Sequence, residues 1–221
     1  MSAEFDLESE LLKVLRKTSP ANSVFSTLAA DLLILTQVQL GERIPDLVIV
    51  RQVREMPTDA RQIKLTSFES WLVGELIRSG ELRPATITRR LYTLPSRVLQ
   101  ALQRLERWGV IEKTRFGGYV LVKDFSTDFE VLSFEAKLTR WRDALVQAKE
   151  YQRFSDQSYV ALPASVINRN AAIMEACRRG GIGLIAVTRK EIEVVLKAES
   201  QTRPDPRERT WLLAKTGALR V

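Results

Sequence analysis

The chain of 221 residues contains no histidine and a single cysteine, Cys177. The first absence closes off serine hydrolases with a histidine base, histidine-ligated zinc hydrolases and histidine-dependent nucleases. The second excludes an internal disulfide and any thiolate zinc cluster. Long hydrophobic runs are also missing, since no stretch approaches the ~18 apolar residues that span a bilayer. The opening Met-Ser-Ala-Glu-Phe-Asp-Leu-Glu is acidic and has no apolar signal core, so a cytoplasmic location without a membrane partner is expected. No internal repeat and no low-complexity tract occurs. Any hydrolytic chemistry must therefore run on carboxylates, lysine, tyrosine and a hard metal ion.

What remains is the composition of an ordinary globular protein, 45% hydrophobic and 28% charged, with a net charge of +7. The charge is unevenly spread. Residues 1–63 carry seven basic and nine acidic side chains, residues 64–123 eleven against five, and residues 124–221 sixteen against thirteen. A basic excess concentrated in the middle segment favours a polyanionic partner.

Apolar spacing predicts an amphipathic helix over 7–17, closed by Ser19-Pro20, and a further helical piece over 22–33. Residues 33–40 turn β-like. After Gly41-Glu42-Arg43 the run Ile44-Pro45-Asp46-Leu47-Val48-Ile49-Val50 reads as a buried strand with one acidic interruption, Asp46. Such a carboxylate is costly unless paired or metal-bound. Residues 129–137 alternate, placing Val131, Ser133, Glu135 and Lys137 on one face and Leu132, Phe134 and Ala136 on the other. A helix over 138–151 presents Gln147 and Tyr151 one turn apart. Strands over 158–163, 182–187 and 191–197 and a helix over 170–179 complete this part.

Between them the pattern changes. Helices over 67–78, 85–91 and 95–108, the last with Pro95 at its first position and stopped by Gly109, precede a hairpin around Phe116-Gly117-Gly118. Three helices and a hairpin with a short turn between the second and third helices resemble a winged helix-turn-helix domain. The third helix turns Val98, Leu102 and Leu105 inward, with Leu99 as a further inward candidate, and Ser96, Arg97, Gln100, Gln103, Arg104 and Arg107 outward. That face suits phosphates and base edges in a major groove, with Arg89, Arg90, Lys113 and Arg115 adding backbone contacts to duplex DNA. The competing reading of such a module is protein binding or dimerisation.

Without 60–123 the remaining order, with Pro45-Asp46 on the second strand and Glu135-Ala136-Lys137 on the third, resembles the PD-(D/E)XK nuclease superfamily. Gln147-Ala148-Lys149-Glu150-Tyr151 matches the Gln-x-x-x-Tyr helix of its RecB-like branch. The resemblance implies an α/β fold, a restriction-endonuclease-like mixed sheet flanked by helices. Its core is discontinuous, over 1–59 and 124–197; the winged helix is an insertion over 60–123, and 198–221 form a tail with a short helix. The letters alone are weak. A second Pro-Asp pair occurs at Pro204-Asp205, and roughly one acid-x-Lys triplet is expected by chance in such a composition. Their order and their placement on apolar strands carry the weight.

Asp46 and Glu135 on adjacent strands would bind Mg²⁺ or Mn²⁺, with the Ala136 carbonyl and Glu10, or less favourably Glu8, completing the shell. Lys137 would orient water and hold the anionic phosphate, while Gln147 and Tyr151 hold the backbone or buttress Lys137. The plainer readings are a solvated Glu135–Lys137 ion pair, a half-buried aromatic at Tyr151 and acids favoured in a helix's first turn at Glu8 and Glu10. The expected function is a Mg²⁺-dependent deoxyribonuclease. The alternative is a non-catalytic DNA-binding regulator, or a subunit of a larger nucleic-acid-processing or defence complex. Cys177 reads as packing, and Gly180-Gly181-Ile182-Gly183 as a connector, since it follows a helix and precedes a strand. Trp211-Leu212-Leu213 suits docking on the core or on a second copy of the chain.

Overall fold

The computed structural model describes residues 9–10, 13, 32–40, 42–53, 62–122, 128–188, 191–202, 204–217 and 219. The chain divides into two compact units, residues 1–52 with 130–202, and residues 53–129 with 203–221.

The first unit is built on a mixed six-stranded sheet. Its strands are β1 (Leu32–Thr36), β2 (Leu47–Gln52), β5 (Phe129–Ala136), β6 (Gln157–Pro163), β7 (Gly183–Val187) and β8 (Ile192–Leu196), adjacent in that order. β1 runs antiparallel to β2, with Ile34 opposite Ile49, and β8 runs antiparallel to β7. β5, β6 and β7 are parallel neighbours, with Glu135 opposite Val160. Parallel strands need crossovers, supplied by α4 (Trp141–Tyr151) and then by α5 (Ala164–Ile167) and α6 (Ala171–Gly180).

Alternation along these strands divides the core in two. Leu47, Ile49, Phe134, Tyr159 and Ile185 pack on one face, where the Phe134 and Tyr159 rings stack at 5.4 Å. Val160, Leu162 and Leu184 face the other way, toward Ala144 and Ala148 of α4 and Ile173 and Cys177 of α6. Gly183 permits the first packing, because a Cβ there would lie 2.2 Å from the Tyr159 ring. Asn170 caps α6 by accepting from the Ala172 N–H, and Gly181 ends it in the left-handed region.

Several boundaries differ from the sequence expectation. β2 begins at Leu47, so Asp46 sits on the bend just before it. Leu32, expected at the end of a helical piece, opens β1; the rest of that piece lies outside the described residues. Of the expected first helix, Ser9, Glu10 and Lys13 are helical, and its other residues, Glu8 included, lie outside the described set. α4 starts at Trp141 because the chain bends through Leu138 and Thr139 first.

The second unit contains α1 (Ser67–Ser79), α2 (Pro84–Arg90), α3 (Pro95–Arg107) and a hairpin of β3 (Ile111–Lys113) with β4 (Tyr119–Leu121). Leu82 bridges to Tyr119 and extends the hairpin sheet. Thr66 and Glu69 form a reciprocal capping box at the start of α1. Residues 203–221 belong to this unit, and its last helix, α7 (Pro206–Thr216), packs along α1. Trp71 and Trp211 meet edge to face at 6.4 Å, and a Cβ on Gly74 would come within 2.4 Å of the Arg207 backbone. Buried Glu75 receives Arg90 at 3.3 Å and Arg207 at 3.4 Å, tying α2 and α7 to α1.

Candidate functional site

The first unit brings four of the expected side chains together. Glu135, the penultimate residue of β5, is almost wholly buried at 1% exposure. Its Oε1 receives Lys137 Nζ at 3.0 Å, and its Oε2 accepts the Tyr151 hydroxyl at 2.8 Å. Alternation along β5 turns Glu135 toward α4, and the helical period sets Tyr151 at the end of α4 on the side facing it. Asp46 reaches β5 from the neighbouring strand's approach, its Oδ2 accepting the Ala136 N–H at 2.8 Å. The Lys137 N–H donates to the Ala161 carbonyl at 3.1 Å, which fixes the backbone from which its side chain turns back.

Burial is the main cause that pushes the Glu135 carboxyl up to about 7, and the neighbouring Asp46 charge adds to it. The hydrogen bonds from Tyr151 and Lys137 and the lysine's charge oppose the rise. Burial, then the Glu135 carboxylate, drive the Tyr151 phenol well above its ordinary range, so it stays a hydrogen-bond donor. Two acids held beside each other, one buried, form a pair that a cation would relieve.

A hard divalent ion that keeps much of its water shell needs one or two carboxylates. Asp46 and Glu135 supply that number of carboxylates, close enough for the charge of one to act on the other. Among the described residues no group of three or more His, Cys, Asp or Glu side chains is arranged to hold a metal. Glu10 pairs with Lys13 at 2.8 Å, and the charges acting on Glu135 are those of Asp46 and Lys137. Gln147 is half-buried one turn before Tyr151 and makes no hydrogen bond to the cluster among the described residues. Tyr151 holds the acid rather than the lysine, a partner the strand and helix patterns alone did not single out. Behind it Ser133, Ser155 and Ser158 close a buried ring of hydroxyls at 2.8–2.9 Å, with Ser155 also donating to the Tyr151 carbonyl.

In the second unit the expected nucleic-acid face is partly committed elsewhere. Arg104 bonds buried Glu69 at 2.5 Å and lies over the Trp108 ring, and Arg97 stacks over Phe68 at 4.5 Å. Arg90 is held by Glu75 and by Ser79 at 2.5 Å. Ser96, Gln100, Gln103, Arg107, Arg89, Lys113 and Arg115 are exposed, as are Arg90 and Arg97 despite these contacts, and Arg115 lies over the ring of Phe116 in the hairpin turn.

No protein-family model matches the chain, and no curated protein matches it. Among solved structures, the wild-type ZitR of Lactococcus lactis is similar at a TM-score of 0.29 and 14% identity, over 81% of this chain and 97% of that one. A protein of unknown function from Silicibacter pomeroyi is similar at 0.30 and 18% identity, over 50% of this chain and 74% of that one. At TM-scores this low neither structure assigns a fold or a function to the chain. The residues themselves define an α/β protein with a mixed six-stranded sheet carrying a buried acid–lysine–tyrosine cluster.

Proposed function

We propose that the chain is a metal-dependent deoxyribonuclease whose second unit grips duplex DNA. The observation that carries this reading is the convergence of Asp46, Glu135 and Lys137 at the ends of adjacent strands, residues to which the resemblance to PD-(D/E)XK nucleases gives metal and phosphate roles. Mg²⁺ or Mn²⁺ held by Asp46, Glu135 and the Ala136 carbonyl would supply Lewis acidity toward a phosphodiester. Lys137 is positioned to give its ammonium to a phosphate oxygen, where charge accumulates as the bond breaks. Tyr151 keeps Glu135 in one rotamer and prevents it from collapsing wholly onto the lysine.

The test is cleavage of linear, nicked, branched and single-stranded DNA by the purified chain with Mg²⁺ or Mn²⁺. Glu135→Gln and Lys137→Ala should each lower the rate by about 10² or more, with circular dichroism unchanged. Undiminished cleavage in either variant would place the chemistry elsewhere. A non-catalytic DNA-binding protein is the second reading, favoured by the protein partners already on both Glu135 oxygens and on Asp46 Oδ2. Complete inactivity of the wild-type chain on all four substrates, with duplex binding retained, would select it.

A further inference from the structure

We infer that the exposed face of α3 reads A·T base pairs in the major groove, which deepens the duplex-binding role proposed above and rests on it. Ser96, Gln100, Gln103 and Arg107 recur at helical spacing on one stripe, and Leu99, an inward candidate by its spacing, lies outward beside it at 48% exposure. The arginines that would ordinarily read guanine are engaged on α1, although Arg97 and the Arg104 side chain keep exposed surface beside this stripe. Arg97 stacks over Phe68, and Arg104 is bonded to buried Glu69 at the start of α1. Arg107 stays outward but lies in the last turn, whereas base edges are met by the leading turns of a recognition helix. Ahead of that last turn the stripe offers two carboxamides and an aliphatic side chain, with Arg97 held against Phe68 beside them.

Glutamine pairs in bidentate fashion with adenine N7 and N6, and an apolar side chain contacts the thymine methyl. Both features belong to the same base pair. Just ahead of α3, Leu94 is 70% exposed and Tyr92 is 96% exposed, with Tyr92 held at a φ of +47° that large side chains seldom adopt. Its neighbour's N–H donates to the Thr88 carbonyl at 3.2 Å, fixing the turn that presents both residues. Arg89, Arg107 and Lys113 make no ion pair among the described residues, so cationic groups flank the stripe and suit a phosphate backbone. Ser96, Gln100, Gln103 and Arg107 make the exposed stripe of α3 polar, so it is not the continuous apolar patch that a protein partner would cover.

The test is fluorescence anisotropy of the full chain, in EDTA, on three short duplexes. They are A·T-rich, G·C-rich, and A·T-rich with deoxyuridine replacing thymidine. The wild type should bind the A·T-rich duplex at least about 10-fold more tightly than the G·C-rich one, and lose about 3-fold or more on loss of the methyl groups. Leu99→Ala should lose the thymine–uracil difference, and the double change Gln100→Ala, Gln103→Ala the A·T preference. Equal, salt-sensitive binding to all three would overturn the inference and leave duplex gripping intact. Failure to bind any duplex would overturn both. Leu99→Ala that alters self-association in sedimentation but not the thymine–uracil difference would assign the face to a second copy and overturn the reading.

Discussion

Asp46→Asn should stabilise the metal-free protein at pH 8 relative to pH 5. Glu135 has its carboxyl raised from 4.5 to about 7, chiefly by burial and next by Asp46. Between those values the folded state holds a proton that the unfolded state releases, so this group's contribution falls as pH rises through the window and is constant above it. The full displacement corresponds to on the order of 3 kcal/mol. Asp46 is the second of its causes, so removing that charge should recover on the order of 1 kcal/mol, roughly 2–4 °C in Tm for a chain of this size. Asparagine keeps an oxygen for the Ala136 N–H, so any geometric cost is independent of pH and enters as a constant offset. The assay is differential scanning fluorimetry of both proteins from pH 5 to 8 in EDTA, then in Mg²⁺. The Tm difference should move in favour of the variant as pH rises, and Mg²⁺ should raise the wild-type Tm while leaving the variant's unchanged. A Tm difference flat across that range, or equal Mg²⁺ shifts, would refute the idea that the two acids share a cation site.

Tyr151→Phe removes the phenol that holds Glu135 and leaves Glu135 Oε2 short of a donor in a buried place. It should lower stability by about 1–2 kcal/mol and lower cleavage while the Mg²⁺-induced Tm shift persists, as read by denaturation and single-turnover kinetics. Gly74→Ala drives a methyl into the Arg207 backbone 2.4 Å away. It should cost about 1–3 kcal/mol in urea denaturation, although alanine is the better helix former. Glu75→Gln leaves Arg90 and Arg207 facing an uncharged group, and should destabilise by about 3 kcal/mol or more and detach α7, seen as fast amide exchange over 206–216. Arg107→Glu should weaken duplex binding and flatten its salt dependence, measured by anisotropy at several salt concentrations.

The parts of this molecule that could be read from its residues are those whose causes are local. The alternation of Phe129–Ala136 and the three-helix, one-hairpin order of 67–121 rest on period and turn chemistry, and both elements lie within a residue or two of the expectation. The Glu135–Lys137 contact follows from the two-residue repeat of a strand. The Asp46 approach to Ala136 spans ninety positions and needed the sheet order β2–β5, which no periodicity reports. The fate of the arginines was hidden for a similar reason. On a helical wheel Arg97 and Arg104 sit beside Gln100 and look outward, because the wheel contains only α3. Both do meet solvent in part, but what their guanidiniums bind depends on the first turn of α1, where Phe68 and Glu69 stand. A sequence signal was present: Thr66 and Glu69 form a capping box, and the capping role buries the Glu69 carboxylate that Arg104 then finds. The same argument applies to α7. Trp211-Leu212-Leu213 announced an apolar helix without saying what it covers, and the close approach at Gly74 shows that α1 had kept a place for it. A glycine in the middle of an otherwise good helix is therefore the residue from which a second helix could have been inferred, because the helix accepts its cost of about 1 kcal/mol only where another backbone must come near.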